Sequence, residues 1–243
     1  MTTYFIADLH LSEERQDITD CLLQFLHSLT NSDDTDALYV LGDLFEMWIG
    51  DDVNNPFLTA VKSAFLAVNQ RGIPIYFIHG NRDFLIGKRF AKEAGMVLLD
   101  EHTVIDLYGR PTLIMHGDTL CTADEAYQRF RAKVHQRWLQ CLFLALPLFV
   151  RQRIGSKMRH QSQATNSEKS YTIMDVTPSE VEHQLEAHGV DLLIHGHTHR
   201  PAIHQATHGQ RVVLGDWYDQ GSVLKFDNNG EFSLTTHPFR SSV

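Results

Sequence analysis

The sequence is poor in cysteine. Among its 243 residues there are three cysteines, Cys21, Cys121 and Cys141, and no C-x-x-C pair occurs. An odd, unpatterned set of cysteines argues against a disulfide framework and against a thiolate metal site. We therefore expect reduced thiols, as is usual for proteins of the cytosol.

The sequence also lacks a long apolar run. The longest, residues 141–150, includes Pro147 and is half of the roughly 20 residues that a membrane-spanning helix needs. Near the N-terminus, Asp8 and His10 interrupt the apolar residues, so we expect no secretory signal peptide.

Positive charge is scarce overall but concentrated in one segment. The chain has 21 Lys and Arg against 30 Asp and Glu, which gives a net charge of −9. Nine of those 21 cations lie between Arg129 and Lys169, where Glu168 is the one acid. An anionic partner should therefore meet this segment.

Five β-type apolar runs each end in a polar side chain that can bind a metal ion. In chain order the runs deliver Asp8 with His10, Asp43, Asn81 with Arg82, His116, and His197 with His199. Helical patterns separate several of these runs, which predicts a layered α/β fold with helices on the outside. In such folds ligands bind beyond the carboxyl ends of the strands, where these side chains should meet.

Periodicity and capping signals predict the remaining elements. The helical pattern covers 18–29, 57–70 and 84–94, and then dominates 124–159. We expect the polar stretch 162–170 to end that block, Thr177 and Glu180 to form a capping box for the next helix, and 228–230 to turn a hairpin. The predicted organisation is a core of 1–123 and 171–243 with a helical cap, 124–170, inserted into it.

The donor types at the strand ends favour a pair of metal ions. Carboxylate and amide oxygens stand beside imidazole nitrogens, a mixture that suits Mn²⁺, Fe or Zn²⁺ better than a soft metal or Ca²⁺. Seven ligands are too many for one tetrahedral ion, whereas two ions can share Asp43 as a bridging carboxylate. Two adjacent metals are the usual device for displacement at phosphorus, because they polarise phosphoryl oxygens and activate water.

The motif series resembles the calcineurin-like metallophosphoesterase superfamily across most of the chain outside 124–190. The motifs are Asp8-x-His10, Gly42-Asp43-x-x-Glu46, Gly80-Asn81-x-Asp83, His116-Gly117-Asp118 and Gly196-His197-x-His199. The resemblance implies a β-sandwich flanked by helices. It also implies a first metal held by Asp8, His10, Asp43 and His199, and a second held by Asp43, Asn81, His116 and His197.

Longer stretches of the sequence resemble, more specifically, the branch of that superfamily that acts in bacterial lipid A biosynthesis. The stretches that carry it are 5–11, 41–46, 48–52, 80–85 and 197–201. The branch implies hydrolysis of the pyrophosphate bond of UDP-2,3-diacylglucosamine by water attack at the α-phosphorus, giving UMP and 2,3-diacylglucosamine 1-phosphate. It implies two Mn²⁺ ions per chain and peripheral association with the cytoplasmic face of the inner membrane. From the sequence itself we expect no nucleic-acid partner, and no obligate protein partner is evident.

The resemblance also implies roles for individual residues. Catalytic roles fall to Asp43, Asn81, Arg82 and His197. Substrate contacts fall to Asn81, Arg82, Asp124, Ser162, Asn166, Lys169 and His197.

Arg82 departs from the wider superfamily, in which many members have a histidine at this position. A guanidinium cannot donate a proton near neutral pH, but it can bind a phosphate through two hydrogen bonds. A diphosphate substrate fits, because its leaving phosphate needs little protonation. The alternative is that Arg82 simply pairs with Asp83 or another acid.

The cap combines a dense apolar surface with cations. The apolar residues are Trp138, Leu139, Leu142, Phe143, Leu144, Leu146, Leu148, Phe149 and Val150, and the flanking cations are Arg131, Lys133, Arg137, Arg151, Arg153, Lys157 and Arg159. This pattern predicts an acyl-chain pocket with a membrane-facing surface. The alternative is a pair of helices that pack on each other, while the acidic net charge and the lack of an aromatic ladder disfavour a nucleic-acid groove.

Two other functions are compatible with part of this sequence pattern. A generic dinuclear phosphodiesterase or nucleotide pyrophosphatase would use the same strand-end residues on a soluble substrate. A non-catalytic scaffold would be expected to lose ligands, and all seven positions are occupied here.

Overall fold

Two sheets form the centre of the fold. A computed structural model describes residues 1–168 and 175–239, with side chains up to Arg159 in the helix that ends at Glu168. The strands are β1 Thr2–Ile6, β2 Thr35–Leu41, β3 Ile75–Ile78, β4 Met96–Leu98, β5 Thr103–Leu107, β6 Arg110–Ile114, β7 Leu192–His195, β8 Ala202–Gln205, β9 Gln210–Val213, β10 Gln220–Asp227 and β11 Phe232–Pro238. The helices are α1 Gln16–Thr30, α2 Pro56–Gln70, α3 Lys88–Ala94, α4 Glu125–Val134, α5 Arg137–Leu144, α6 Leu148–Glu168 and α7 Pro178–His188.

The sheets pack face to face beneath outer helices. The first has the order β11-β10-β1-β2-β3-β4 and the second β5-β6-β7-β9-β8. Phe5, Leu41, Ile194 and Phe226 belong to one fully buried cluster drawn from both sheets. Successive side chains of a strand point to opposite faces, so Ile6 packs instead with the residues of α1 and α2. The predicted β-sandwich flanked by helices is confirmed.

Parallel pairing brings the predicted strand ends to one edge. β1, β2 and β3 are parallel neighbours in the first sheet, and β6 and β7 are parallel in the second. The polar residues that follow these five strands therefore leave the sandwich on the same side. The hairpin between β10 and β11 is also confirmed, whereas β8 was not anticipated.

Helix α3 begins later than its sequence pattern predicts. The expected start near Phe84 is wrong, and the helix begins at Lys88. The carboxylate of Asp51 accepts hydrogen bonds from the backbone N–H groups of Gly87, Arg89 and Phe90. An acid distant in sequence therefore satisfies the first turn, where helical N–H groups lack partners.

Two further local predictions are wrong. The polar stretch that begins at Ser162 does not end the helical block, because α6 continues through Glu168. Its Ser, Gln, Thr and Asn residues are only modestly poorer helix formers than Ala, and no Gly or Pro interrupts them. Thr177 precedes α7 without a capping hydrogen bond from its side chain, since its hydroxyl pairs with that of Thr122 at 2.7 Å.

Helices α4 to α6 form the insertion between β6 and α7. Helices α4 and α5 contact each other, although neither buries a residue. Arg151 of α6 is buried, forms an ion pair with Asp52 and donates to the Ile49 carbonyl at 2.6 Å. In the part of the chain described, no helix is both long enough and apolar enough to cross a membrane.

The flanking cations do not all face outward. Arg131 pairs with Asp118 at 2.7 Å, and Arg159 pairs with Glu46 at 3.2 Å. Together with Arg151, these residues tie the insertion to acids of the core. Sequence alone overstates the outward charge of the cap, because charge counts do not reveal on which side of a helix a cation finds its partner.

Candidate metal centre

The backbone adopts a left-handed conformation at most of the predicted ligands. Within the described ranges six non-glycine residues have positive φ, and five are predicted ligands: Asp8, His10, Asp43, His197 and His199. This conformation is uncommon for residues other than glycine and costs energy. Its concentration at the strand ends indicates that the surrounding structure enforces these side-chain directions.

Two glycines allow backbone segments to lie directly against the central carboxylates. A side-chain carbon at Gly80 would overlap the carboxylate of Asp43, and one at Gly196 would overlap that of Asp8. The backbone N–H of His197 donates to Asp8 at 2.8 Å, and that of Arg82 donates to Asp43 at 2.8 Å. The loops after β3 and β7 thus fix one oxygen of each acid.

Asp8, His10 and His199 form the first metal group, with one donor atom of each within 4.8 Å of the others. The Nε2 atoms of His10 and His199 are 3.3 Å apart, and His199 Nε2 lies 3.4 Å from Asp8 Oδ1. That oxygen is buried and has no hydrogen-bond partner among the described residues. A buried carboxylate oxygen facing two imidazole nitrogens fits a divalent cation, which would satisfy all three.

Asp8, Asp43 and His116 form the second metal group. His116 Nε2 lies 3.7 Å from Asp43 Oδ1 and 3.0 Å from Asn81 Oδ1. The other oxygen of Asp43 lies 3.9 Å from His10 Nε2, so its carboxylate faces a histidine on each side. This geometry suits a carboxylate shared by two ions.

The outer nitrogens of three histidines lie close to oxygen atoms. His199 Nδ1 lies 3.1 Å from Asp216, and His116 Nδ1 lies 2.8 Å from the Leu41 carbonyl. His10 Nδ1 lies 3.1 Å from Glu46 but makes no hydrogen bond among the described residues. Partners of this kind favour a ring proton on Nδ1, so that a metal ion that displaces the proton from Nε2 can bind there. All three Nε2 atoms face the acids, which is the arrangement of metal-binding imidazoles.

The electrostatic field at this site favours positive charge. Burial opposes protonation of His116, but Asp43 and Asp8 raise its pKa to about 9. Burial likewise opposes protonation of His199, whose pKa Asp8 and Asp216 nevertheless raise to about 10. The carboxylates therefore attract cations strongly enough to override desolvation.

His197 differs from the other predicted ligands. It belongs to neither metal group among the described residues, and its ring centroid lies 5.0 Å from that of His116. Burial and the neighbouring His116 lower its pKa well below the ordinary value. A neutral imidazole at this place retains a lone pair, so its assignment as a ligand stays a prediction.

The guanidinium of Arg82 is available for a ligand. Asp83 accepts from the N–H groups of Gly80, Asp43 and Leu44 instead of pairing with Arg82. Among the side chains that the structure describes, those of 1–159 and 175–239, none forms a hydrogen bond or ion pair with this guanidinium. Its charge still helps to lower the pKa of Glu46, against the effect of burial and together with His10.

The other predicted substrate contacts are less well defined. Asp124 lies at the N-terminus of α4, where its side chain accepts from the Tyr127 N–H at 3.1 Å. Ser162 and Asn166 lie in α6 rather than in the expected loop, and their side chains lie outside the described part. Lys169 lies outside the described residues altogether.

Sequence reasoning gave no role to Glu46, Asp83 or Asp216. One signal was present for Asp216, which follows Leu214 and a glycine just as Asp43 follows Leu41 and a glycine. Glu46 and Asp83 occur within recognised motifs. Their contacts depend on how separate strand ends meet, and no local pattern encodes that.

Comparison with known proteins identifies relatives of this chain. The chain is 59% identical over 228 residues to a protein of Photobacterium profundum named UDP-2,3-diacylglucosamine hydrolase, with 92% of each chain covered. It is 57% identical over 243 residues to a protein of the same name from an Enterobacter species, covering 98% of this chain and 100% of the relative.

Structural comparison adds evidence on the fold. A solved archaeal phosphodiesterase is 12% identical and superposes with a TM-score of 0.50, covering 97% of this chain and 99% of the other. The model of the family described as "Calcineurin-like phosphoesterase" matches residues 1–201. The chain therefore belongs to the calcineurin-like phosphoesterase family.

Proposed function

We propose that this protein hydrolyses UDP-2,3-diacylglucosamine to UMP and 2,3-diacylglucosamine 1-phosphate, a step of lipid A biosynthesis. The observation that carries the proposal is the near-full-length identity of about 58% to relatives named for hydrolysis of this compound. In the reaction the oxygen of water bonds to the α-phosphorus, and the bond from that phosphorus to the bridging oxygen breaks.

Two Mn²⁺ ions are proposed as the cofactors. Asp8, His10 and His199 would hold the first ion, and Asn81, His116 and His197 the second, with Asp43 shared. The buried Asp8 oxygen, which makes no hydrogen bond among the described residues, and the inward Nε2 atoms fit such ions. When bound, the ions would supply Lewis-acid stabilisation of phosphoryl charge and activation of water.

The remaining catalytic roles follow from side-chain chemistry. Arg82, which has no competing partner in the described chain, would bind a phosphate through two hydrogen bonds and stabilise the charge on the leaving phosphate. Asn81 and His197 would meet the substrate beside the second ion. Asp124, Ser162, Asn166 and Lys169 are proposed to contact the nucleotide sugar.

The insertion is proposed to receive the acyl chains and to meet the cytoplasmic face of the inner membrane. Trp138, Leu142 and Phe149 expose 62%, 58% and 62% of their surface. Exposed apolar residues of this size, flanked by Arg137 and Arg153, favour binding to an anionic lipid surface. The lipid substrate would then reach the metal centre from the membrane side.

Mass spectrometry of the products tests this proposal. UDP-2,3-diacylglucosamine is incubated with the protein and Mn²⁺ in H₂¹⁸O, and both products are analysed. We expect UMP to carry the label. Label on the lipid phosphate would contradict attack at the α-phosphorus, and cleavage of bis-p-nitrophenyl phosphate without turnover of the lipid would indicate a generic phosphodiesterase.

A further inference from the structure

A short loop between β9 and β10 touches all three members of the first metal group. The Asp216 carboxylate lies 3.1 Å from His199 Nδ1. The backbone N–H of Trp217 donates to the Asp8 carbonyl at 3.1 Å. The ring of Tyr218 stacks on that of His10, with centroids 5.2 Å apart and an angle of 11°.

The loop is itself anchored in the core. The indole of Trp217 is fully buried, and its N–H donates to the Ser222 carbonyl at 3.0 Å. Arg15 donates to the Tyr218 carbonyl at 2.6 Å, and Asp216 accepts from the Tyr218 N–H at 3.4 Å. Because Trp217 is held between them, the Asp216 and Tyr218 side chains have little freedom to leave their histidines.

We propose that Asp216 and Tyr218 are positioning residues for the first metal group, an inference that rests on the metal centre of the proposed function. Asp216 fixes the proton of His199 on Nδ1, so that Nε2 is directed inward with greater basicity. Tyr218 blocks rotation of the His10 ring by stacking on its face. Neither residue belongs to either metal group among the described residues.

Mn²⁺ binding without substrate tests the inference. Calorimetry follows the titration of four metal-free proteins with Mn²⁺: the native chain, Asp216→Ala, Tyr218→Ala and Tyr218→Phe. An electron paramagnetic resonance spectrum is recorded at the end of each titration. Loss of a partner that orients a ligand typically costs about 10- to 100-fold in metal affinity. We expect this loss for one of the two ions in both alanine variants, and near-native binding in Tyr218→Phe.

The spectrum provides a readout independent of activity. Two adjacent Mn²⁺ ions give a spin-coupled signal, so loss of one should leave the six-line signal of an isolated ion at the same metal concentration. Asp219→Asn is the matched control, because it removes an exposed carboxylate from the same loop. It should bind both ions like the native chain.

Three outcomes would overturn the inference. Native-like affinity for both ions in Asp216→Ala and Tyr218→Ala would show that the loop does not position the histidines. An equal loss in Asp219→Asn would assign the effect to general charge. If the native chain itself bound no Mn²⁺, the metal centre of the proposed function would fail and this inference with it, whereas the first two outcomes leave that centre intact.

Discussion

Replacement of Asp83 should loosen the two loops that present Asp43 and Asn81. The Asp83 carboxylate is fully buried and accepts from the N–H groups of Gly80 at 2.8 Å, Leu44 at 2.7 Å and Asp43 at 3.3 Å. One side chain thus joins the end of β2 to the end of β3. Asp83→Ala would leave all three donors without an acceptor.

The size of the effect follows from the number of donors. Each buried N–H left without a partner costs about 1–3 kcal/mol. Water can enter part of the space that Asp83→Ala opens, so we expect a loss of about 3–5 kcal/mol in the free energy of unfolding. Asp83→Asn keeps one acceptor oxygen and turns an N–H₂ group toward a donor, which should cost about 1–3 kcal/mol.

The loss in the free energy of unfolding that Asp83→Asn causes should also depend on pH. Burial and the charge of Asp43 raise the pKa of Asp83 to about 7. Between about pH 4 and pH 7 the folded chain then binds more protons than the unfolded chain, so the contribution of this group to stability falls as pH rises. Asparagine does not titrate, and the stability gap between native protein and Asp83→Asn should therefore narrow from pH 5 to pH 8.

Urea denaturation of the metal-free protein at pH 5 and pH 8 measures both effects. Asp20→Asn, which removes an exposed carboxylate on α1, serves as the control and should stay within about 0.5 kcal/mol of native. An Asp83→Ala variant within about 1 kcal/mol of native would refute the hydrogen-bond argument. A gap that widens toward pH 8 would refute the direction of the pKa shift.

Three further predictions concern the site and the cap. Arg82→Met should reduce kcat/KM about 100-fold or more, because two charge-assisted hydrogen bonds to the substrate are lost. The melting temperature should not change, and a lowered melting temperature would instead indicate a structural role for Arg82. Mn²⁺ binding at pH 7.5 should release protons, because His116 and His199 have pKa values of about 9 and about 10 in the metal-free chain. The buffer takes up these protons, so heats of binding that are equal in Tris and phosphate buffers would contradict this prediction. The double substitution of Trp138 and Phe149 by Ala should weaken binding to anionic vesicles about 30-fold or more, because each exposed ring contributes about 1–2 kcal/mol to the binding free energy. Cleavage of bis-p-nitrophenyl phosphate should stay unchanged. Vesicle binding equal to that of the native protein would exclude this surface as the membrane-binding site.

The architecture could be predicted because its signals are local. An apolar run that ends at Gly42 and Asp43, repeated at other strand ends, indicates strands whose carboxyl ends carry ligands. Once the strands are parallel, their ends must meet at one edge, and the structure places Asp8, Asp43 and His116 within one group. Those positions depend on chain order and strand direction alone.

The support around the ligands could not be predicted in this way. Glu46 meets His10, and Asp216 meets His199, only after separate loops have packed together. The same holds for Arg159, which a charge count treats as an outward cation but which pairs with Glu46. An isolated acid or base has no periodic pattern, so its partner becomes visible only in the fold.

We propose that the strand-end cluster is a two-metal centre that hydrolyses a UDP-linked diacyl sugar. The most direct test is a titration of metal-free protein with Mn²⁺ while UMP release from UDP-2,3-diacylglucosamine is followed. We expect no release before metal is added and a rate that reaches its plateau at two equivalents. Full UMP release in the presence of a chelator, or a plateau at one equivalent, would contradict the account.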